Sequence, residues 1–355
     1  MEHLQHFGLS ADPFRNEPLL SLFLETAPHR DGLRRLERGV RQAKGLSLLV
    51  GEAGAGKTMV LRRLLDSLEE EVFEASMLVV LNESADPGWM LRRFAAQLGV
   101  EGPAPEREAL MAQIYDQLAV VREDGRHAVL LIDDAQALAA PGTRAELGAL
   151  LKLEYEERRL LSVVLAGTAR LESALAGDPV LAHRVDVKAR LRPLDAAGAQ
   201  SYLAHRLSKA GGRPEALDAG AVAALHELGG GLPGPMNTLA DNALFEAFLC
   251  GRSRVTRVDV ERAKRDLAWQ AGGGGAAPGP GAPGPGLGDS LGDLDSELEA
   301  VFDEAGAGPA AQREVHGTRP APVASERAGR ALPRQGPPKD EEEEPPDLLV
   351  ELLED

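Results

Sequence analysis

Eight consecutive residues, Gly51-Glu52-Ala53-Gly54-Ala55-Gly56-Lys57-Thr58, have the types and spacing to hold a chain of phosphates. They read G-x-x-x-x-G-K-[ST], the pattern of a phosphate-binding loop. Glycines let the backbone turn tightly around an anion and bring its N–H groups close, and a helix starting behind the loop adds its positive end. Lys57 would reach the β- and γ-phosphates and Thr58 would ligate Mg²⁺, with Met59 completing the contact set at the start of the helix. ATP with Mg²⁺ is the expected ligand pair.

A second group lies some seventy residues downstream. Ala128-Val129-Leu130-Leu131-Ile132 is an apolar strand that ends in Asp133-Asp134. A carboxylate at the C-terminal end of such a strand can hold Mg²⁺ facing the loop threonine. Asp133 fits that role. The next acid would orient or activate the attacking water, and here it is Asp134, one methylene shorter than a glutamate. Its carboxylate would sit about 1.5 Å further back, on the scale of one carbon–carbon bond. Misplacement of that order can cost about two orders of magnitude in rate. The alternative is an Asp pair that caps a helix beginning at Ala135.

Leu160–Leu165, continuing through Ala166 and Gly167, is another apolar run that ends in a polar residue, Thr168. Thr168 could hydrogen-bond the γ-phosphate or the lytic water, or cap a helix at Ala169. Arg184, after a helical stretch, could stabilise transition-state charge across a subunit interface, or form a local surface ion pair. His29, His183 and His226 read as structural or solvated. No His/Cys/Asp cluster has metal-ligand spacing and no Ser/His/Asp arrangement is readable.

These residues need a scaffold that brings strand ends together. Apolar runs at Leu46–Val50, Met77–Leu81, Ala128–Ile132, Leu160–Leu165 and Val185–Leu191 alternate with helical patterns. Such alternation predicts an α/β fold, a P-loop parallel sheet flanked by helices. A helix is expected at Met59–Leu68 behind the loop, and another at Arg30–Lys44, where Leu33, Leu36 and Val40 form its apolar stripe. The strand signal then disappears, and Ala196–Ala210, Ala219–Leu228, Met236–Cys250 and Arg257–Trp269 read as helices of a small lid domain, the last N-capped by Thr256. The expected division is a lead-in at 1–45, an ATPase core at 46–192, a helical lid at 193–269 and a disordered acidic tail at 270–355.

The composition agrees with such a division. The chain of 355 residues is 43% hydrophobic but only 4% aromatic, so its core must be aliphatic. A single cysteine, Cys250, excludes an intramolecular disulfide and a cysteine zinc site. No run approaches the roughly 18 apolar residues of a membrane helix, and the first residues do not read as a signal peptide, so a cytoplasmic location is expected. The net charge of −17 is unevenly placed: residues 271–355 hold 18 Asp or Glu against 6 Lys or Arg, a net −12, which leaves −5 for residues 1–270. The Gly/Pro-rich stretch 272–286 cannot pack a core and reads as a linker. Beyond it, Leu291, Leu294, Leu298, Val301 and Phe302 have amphipathic spacing, and Leu348–Leu353 follow the acids Glu341–Glu344. These islands are either docking segments for a protein partner or incidental leucines in a solvated tail. Basic pairs at Arg34-Arg35, Arg62-Arg63, Arg92-Arg93 and Arg158-Arg159, with the cluster Arg252, Arg254, Arg257, Arg262, Lys264 and Arg265, are either a DNA-facing stripe or ordinary helix surface paired with nearby acids.

Several elements taken in order resemble one family. They are His6-Phe7-Gly8-Leu9 with Pro13-Phe14, Phe23-Leu24 with His29-Arg30-Asp31-Gly32-Leu33, the loop Gly51–Thr58, Leu131-Ile132-Asp133-Asp134-Ala135-Gln136, and Gly230-Gly231-Leu232-Pro233 with Asn237. The sequence resembles the AAA+ ATPases of the ExeA (general secretion pathway protein A) type, which are similar in turn to the TniB and MuB ATPases. The resemblance covers about residues 4–268. It implies an AAA+ core with a helical lid, nucleotide between them, an adenine pocket near Phe14 and His29, and a homo-oligomer that places Arg184 in a neighbour's site. Three positions depart from the family pattern: Asp134 stands where Glu is usual, Thr168 where Gln or Asn is usual, and Gly234, after Pro233, where an arginine that touches the γ-phosphate is usual. The membrane and peptidoglycan-binding segments of typical members are replaced by the acidic tail, so a role in secretin assembly is not expected. The expectation is slow ATP hydrolysis that switches conformation or assembly toward a protein partner. The alternatives are a non-hydrolysing nucleotide-dependent scaffold and a DNA-associated regulator.

Overall fold

The computed structural model describes residues 2–80, 87–136 and 140–272, with side chains to 267. The expected disordered tail, its two leucine-rich islands and its acidic run lie outside the described residues, as does the end of the strand expected at Met77–Leu81.

The elements run α1 (Glu2–His6), α2 (Ala27–Arg41), β1 (Leu46–Val50), α3 (Lys57–Asp66), β2 (Phe73–Val79), α4 (Pro87–Gln97), α5 (Arg107–Glu123), β3 (His127–Asp133) and α6 (Pro141–Leu150). A short hairpin of β4 (Glu154–Tyr155) and β5 (Arg158–Arg159) follows. Then come β6 (Leu161–Gly167), α7 (Ala169–Ala176), β7 (Val185–Arg190), α8 (Ala196–Lys209), α9 (Ala219–Leu228), α10 (Pro233–Leu249) and α11 (Arg257–Gly272). The five long strands pair in parallel in the order β2-β3-β6-β1-β7.

Two departures from the expected boundaries have physical causes. β2 begins at Phe73, four residues before the expected start. As an edge strand it pairs only with β3 and admits Glu74 and Ser76, which break the apolar run. The helix behind the loop begins at Lys57, because Gly56 at φ +91° turns the chain directly into it.

The three central strands are buried on both faces, as a covered parallel sheet requires. Their side chains alternate with period two. Leu46, Leu48, Leu130, Ile132, Val163 and Leu165 join Met90, Phe94, Ile114 and Leu118 of α4 and α5 on one face. Leu49, Val129, Leu131, Val164 and Ala166 join Leu36, Val40, Leu61 and Leu64 of α2 and α3 on the other. Helices α8 to α11 enclose a separate apolar cluster, and Leu4, Phe7, Leu9 and Phe14 from the start of the chain are part of it. The buried Arg206 guanidinium of α8 fixes this strap by donating to the carbonyls of Pro13 (2.5 Å) and Arg15. The lead-in therefore has two parts: Leu4, Phe7, Leu9 and Phe14 complete the lid cluster, and α2 packs on the sheet.

The start of β3 carries a titratable switch in stability. His127 is 8% exposed; its Nε2 donates to the Ser162 hydroxyl (2.9 Å), which donates to the Lys44 carbonyl (2.7 Å). Nδ1 is buried with no partner, so a proton added there meets no acceptor. Burial, reinforced by the Arg122 charge, pushes the imidazole down to about 4. The unfolded chain, titrating near 6.5, binds the proton first as pH falls. The stability from the neutral ring is therefore complete above pH 6.5 and declines toward pH 4, by about 3 kcal/mol for this group. Denaturant midpoints measured from pH 7.5 to 4.5 should show that fall, and it should shrink in His127→Gln.

Candidate nucleotide site

The topology sets β6 between β1 and β3, so three strand ends converge. The loop leaves β1, Asp133 ends β3, and Thr168 follows β6. The Gly51 N–H donates to the Gly167 carbonyl (3.1 Å), which joins the loop to the middle strand.

Within the loop, Gly54 and Gly56 hold φ of +77° and +91°, the left-handed region that glycine adopts without steric cost. Gly56 then takes the N-cap position of α3, which aims the first N–H groups of that helix at the space inside the loop. The Lys57 ammonium lies in the same space and donates to the carbonyls of Gly51 (3.2 Å) and Glu52 (3.0 Å). Burial holds its pKa below that of an ordinary lysine, against the opposing pull of Asp134 and Asp133. A phosphate chain would offer this charge a partner that carbonyls only approximate.

Thr58 and Asp133 meet as the spacing predicts. The Thr58 hydroxyl donates to a carboxylate oxygen of Asp133 at 2.5 Å. Asp133 is 2% exposed, and burial raises its pKa despite the hydrogen bond from Thr58. A buried carboxylate beside a hydroxyl, both at the mouth of a phosphate loop, is a hard oxygen donor set that suits Mg²⁺. Among the described residues no cluster of three or more His, Cys, Asp or Glu side chains could hold a metal by itself, so such an ion would depend on phosphate oxygens as well.

The helix that Asp133 and Asp134 would cap runs into residues outside the described ones. The Asp134 backbone is left-handed, at φ +49°, and its N–H donates to Asp133 Oδ1 (3.0 Å). Its exposed carboxylate accepts from the Gln136 amide (3.1 Å). Asp tolerates this backbone better than Glu does, which gives a local reason for the shorter acid here. Thr168 occupies the N-cap position of α7, but its side chain makes no capping bond. Arg184 ends a short 3₁₀ turn and donates to the Leu151 carbonyl at the end of α6 (2.9 Å), and among the described residues it neither forms an ion pair nor meets the loop. Of the arginines that could form a basic stripe, Arg63, Arg159, Arg252 and Arg257 pair with Asp66, Asp186, Asp259 and with Glu227 and Glu261.

A small cavity opens beside the loop. The lead-in supplies Leu22, Phe23, Leu24 and His29, the loop and its helix supply Gly56 and Met59, and the lid supplies Tyr202, Arg206 and Pro233. An apolar, aromatic-edged slot next to a phosphate loop suits a planar base. Phe14, expected here, lies instead in the lid cluster. Phe23, which belongs to the lead-in element that resembles the family but carried no site role in the sequence, lines the cavity.

One contact at this site has no sequence signal at all. The N–H of Gly234, at the start of α10, donates to the Gly54 carbonyl (2.9 Å). A Cβ on Gly234 would fall 2.9 Å from the Gly54 Cα, and one on Gly54 would fall 2.6 Å from Pro235 Cδ. The lid thus touches the loop backbone to backbone, where an arginine side chain has no room to start.

Residues 40–175 match the AAA domain family. General secretion pathway protein A of Aeromonas hydrophila is 32% identical over 285 residues, covering 76% of this chain and 50% of the relative. The chain thus spans half the length of that relative, and less of the other curated relatives it matches. Among solved structures, the ORC1 protein of Aeropyrum pernix, in complex with DNA, superposes with TM-score 0.55 at 22% identity, over 71% of this chain and 69% of that one. The ORC2 protein of the same organism, with ADPNP and ADP, gives 0.54 at 14%, over 73% of each. At these identities the two structures bear on the fold alone. No described helix is long and apolar enough to cross a membrane.

Proposed function

The chain belongs to the AAA+ family of P-loop ATPases, with general secretion pathway protein A as a relative, and from that premise we propose that it binds ATP with Mg²⁺ and hydrolyses it slowly, as a conformational or assembly switch. The observation that carries this reading is the 2.5 Å contact between Thr58 and Asp133 at the mouth of a loop already shaped for phosphates. Gly51–Lys57 would wrap the phosphates through backbone N–H groups and the Lys57 ammonium. Met59 and the lead-in slot would take the base. Thr58 and Asp133 would hold Mg²⁺, whose charge, when bound, offsets that of the β- and γ-phosphates. Asp134 and Thr168 would place the water, and Arg184 would act from a neighbouring subunit after release from Leu151.

A non-hydrolysing scaffold is the second reading. It is favoured by the left-handed, exposed Asp134 and by the glycine at position 234. Steady-state phosphate release separates the two. Turnover above a Lys57→Ala blank supports the hydrolase; ATP binding with release no faster than the blank supports the scaffold. A DNA-directed role of the TniB or MuB kind needs ATP-stimulated, salt-dependent DNA binding; no binding at low salt removes it. A protein partner for the acidic tail, a homo-oligomer and a cytoplasmic setting belong to the same proposal.

A further inference from the structure

His29 projects from the first turn of α2 onto the loop and is 4% exposed. Its Nε2 lies 3.1 Å from the Ala55 carbonyl, and its Nδ1 lies 2.6 Å from the Thr26 hydroxyl. A carbonyl can only accept, so Nε2 carries the hydrogen; in the neutral ring Nδ1 then accepts from Thr26. Burial lowers the pKa of the ring and keeps it neutral. Thr26 occupies the N-cap position of α2 but caps nothing there. Its hydroxyl is committed to orienting the ring. Phe23 packs its edge against the imidazole with ring centroids 5.8 Å apart. A Cβ on Gly56 would meet Nε2 at 2.7 Å, so the ring sits as close to the loop as glycine permits.

The peptide bond gives this contact a consequence. In a trans peptide the carbonyl of Ala55 and the N–H of Gly56 lie in one plane and point in opposite directions. Holding the carbonyl toward α2 turns that N–H into the cradle, where an anion would lie. We propose that His29, oriented by Thr26, is a positioning residue for the phosphate loop: it locks the Ala55–Gly56 peptide in the orientation that presents its N–H to phosphate. The inference rests on the nucleotide-binding reading above and goes beyond it, because the ring acts on the loop rather than on the base.

Equilibrium binding of ADP and of inorganic tripolyphosphate to the full chain tests this, alongside melting without ligand. His29→Phe keeps a ring but removes the donor; its affinity for both probes is expected to fall about tenfold. In His29→Gln the side-chain amide can still donate to Ala55, so affinity is expected to return to within about threefold of the parent. Thr26→Val frees the ring and is expected to cost about threefold without a matching loss in melting temperature. If His29→Phe loses ADP but keeps tripolyphosphate, the residue serves the base and the proposal is overturned. Equal losses in His29→Phe and His29→Gln also overturn it, since the donor is then irrelevant. If His29→Phe does not fold, unchanged tripolyphosphate affinity in Thr26→Val overturns it alone. Failure of the parent chain to bind either probe would instead remove the nucleotide reading itself.

Discussion

Lys57→Ala will abolish measurable ATP binding, a loss of at least about 100-fold, or about 3 kcal/mol. The ammonium lies within the loop, where it bridges the Gly51 and Glu52 carbonyls. Its truncation removes the cation that faces the β- and γ-phosphates. It also leaves the buried Gly51 carbonyl and the partly buried Glu52 carbonyl without this donor, so the loop loses both charge and shape. Fluorescence titration with an ATP analogue, with circular dichroism to confirm folding, measures the effect. Binding within threefold of the parent would remove Lys57 from the site.

Gly234→Ala is expected to weaken ATP binding about tenfold, or about 1.4 kcal/mol. The new methyl would start 2.9 Å from the Gly54 Cα, a backbone atom that cannot rotate away. Either α10 lifts off the loop or the loop shifts, and the hydrogen bond between Gly234 and Gly54 is strained in both cases. Overpacking of this kind commonly costs 1–3 kcal/mol. Gly234→Arg restores the residue usual at this position in similar ATPases, and a simple charge argument predicts tighter binding. The close approach predicts the opposite: Gly234→Arg should bind no better than Gly234→Ala. A gain in affinity or turnover in Gly234→Arg would show that the lid reaches the phosphates through a different path.

The glycine-rich loop and the meeting of Thr58 with Asp133 at its mouth were legible because their signals are local. Gly51–Thr58 is a continuous motif, and Asp133 closes an unbroken apolar strand, so chemistry and position are read from the same residues. The parallel sheet followed from the apolar runs at β1, β3 and β6, which are buried along their whole length, while the edge strand β7 keeps only Val187 and Ala189 buried between exposed Asp186, Lys188 and Arg190. The start of β2 was hidden because an edge strand admits Glu74 and Ser76. Asp134 showed its type but not its left-handed backbone, which depends on how the chain turns after β3. The lid contact was not legible. Gly54 and Gly234 are 180 positions apart, and glycine chosen for a close approach looks like glycine chosen for a turn. His29 read as structural or solvated by itself, and as a neighbour of the adenine pocket by resemblance, but a single histidine in a helix carries no sign of the carbonyl it meets. The same distance effect hides the strap of Leu4, Phe7, Leu9 and Phe14, which complete a lid formed some 190 residues later. Long-range backbone proximity is a property of the folded topology and leaves no spacing in the sequence.

Isothermal titration of the full chain with ATP, in Mg²⁺ and again in excess chelator, tests the central claim most directly. The account predicts one site per chain, with binding weakened at least about tenfold when Mg²⁺ is removed, because Thr58 and Asp133 then lose the ion that links them to the phosphates. Saturable ATP binding that is indifferent to Mg²⁺ would contradict the assignment of that pair, and no binding at millimolar ATP would contradict the account as a whole.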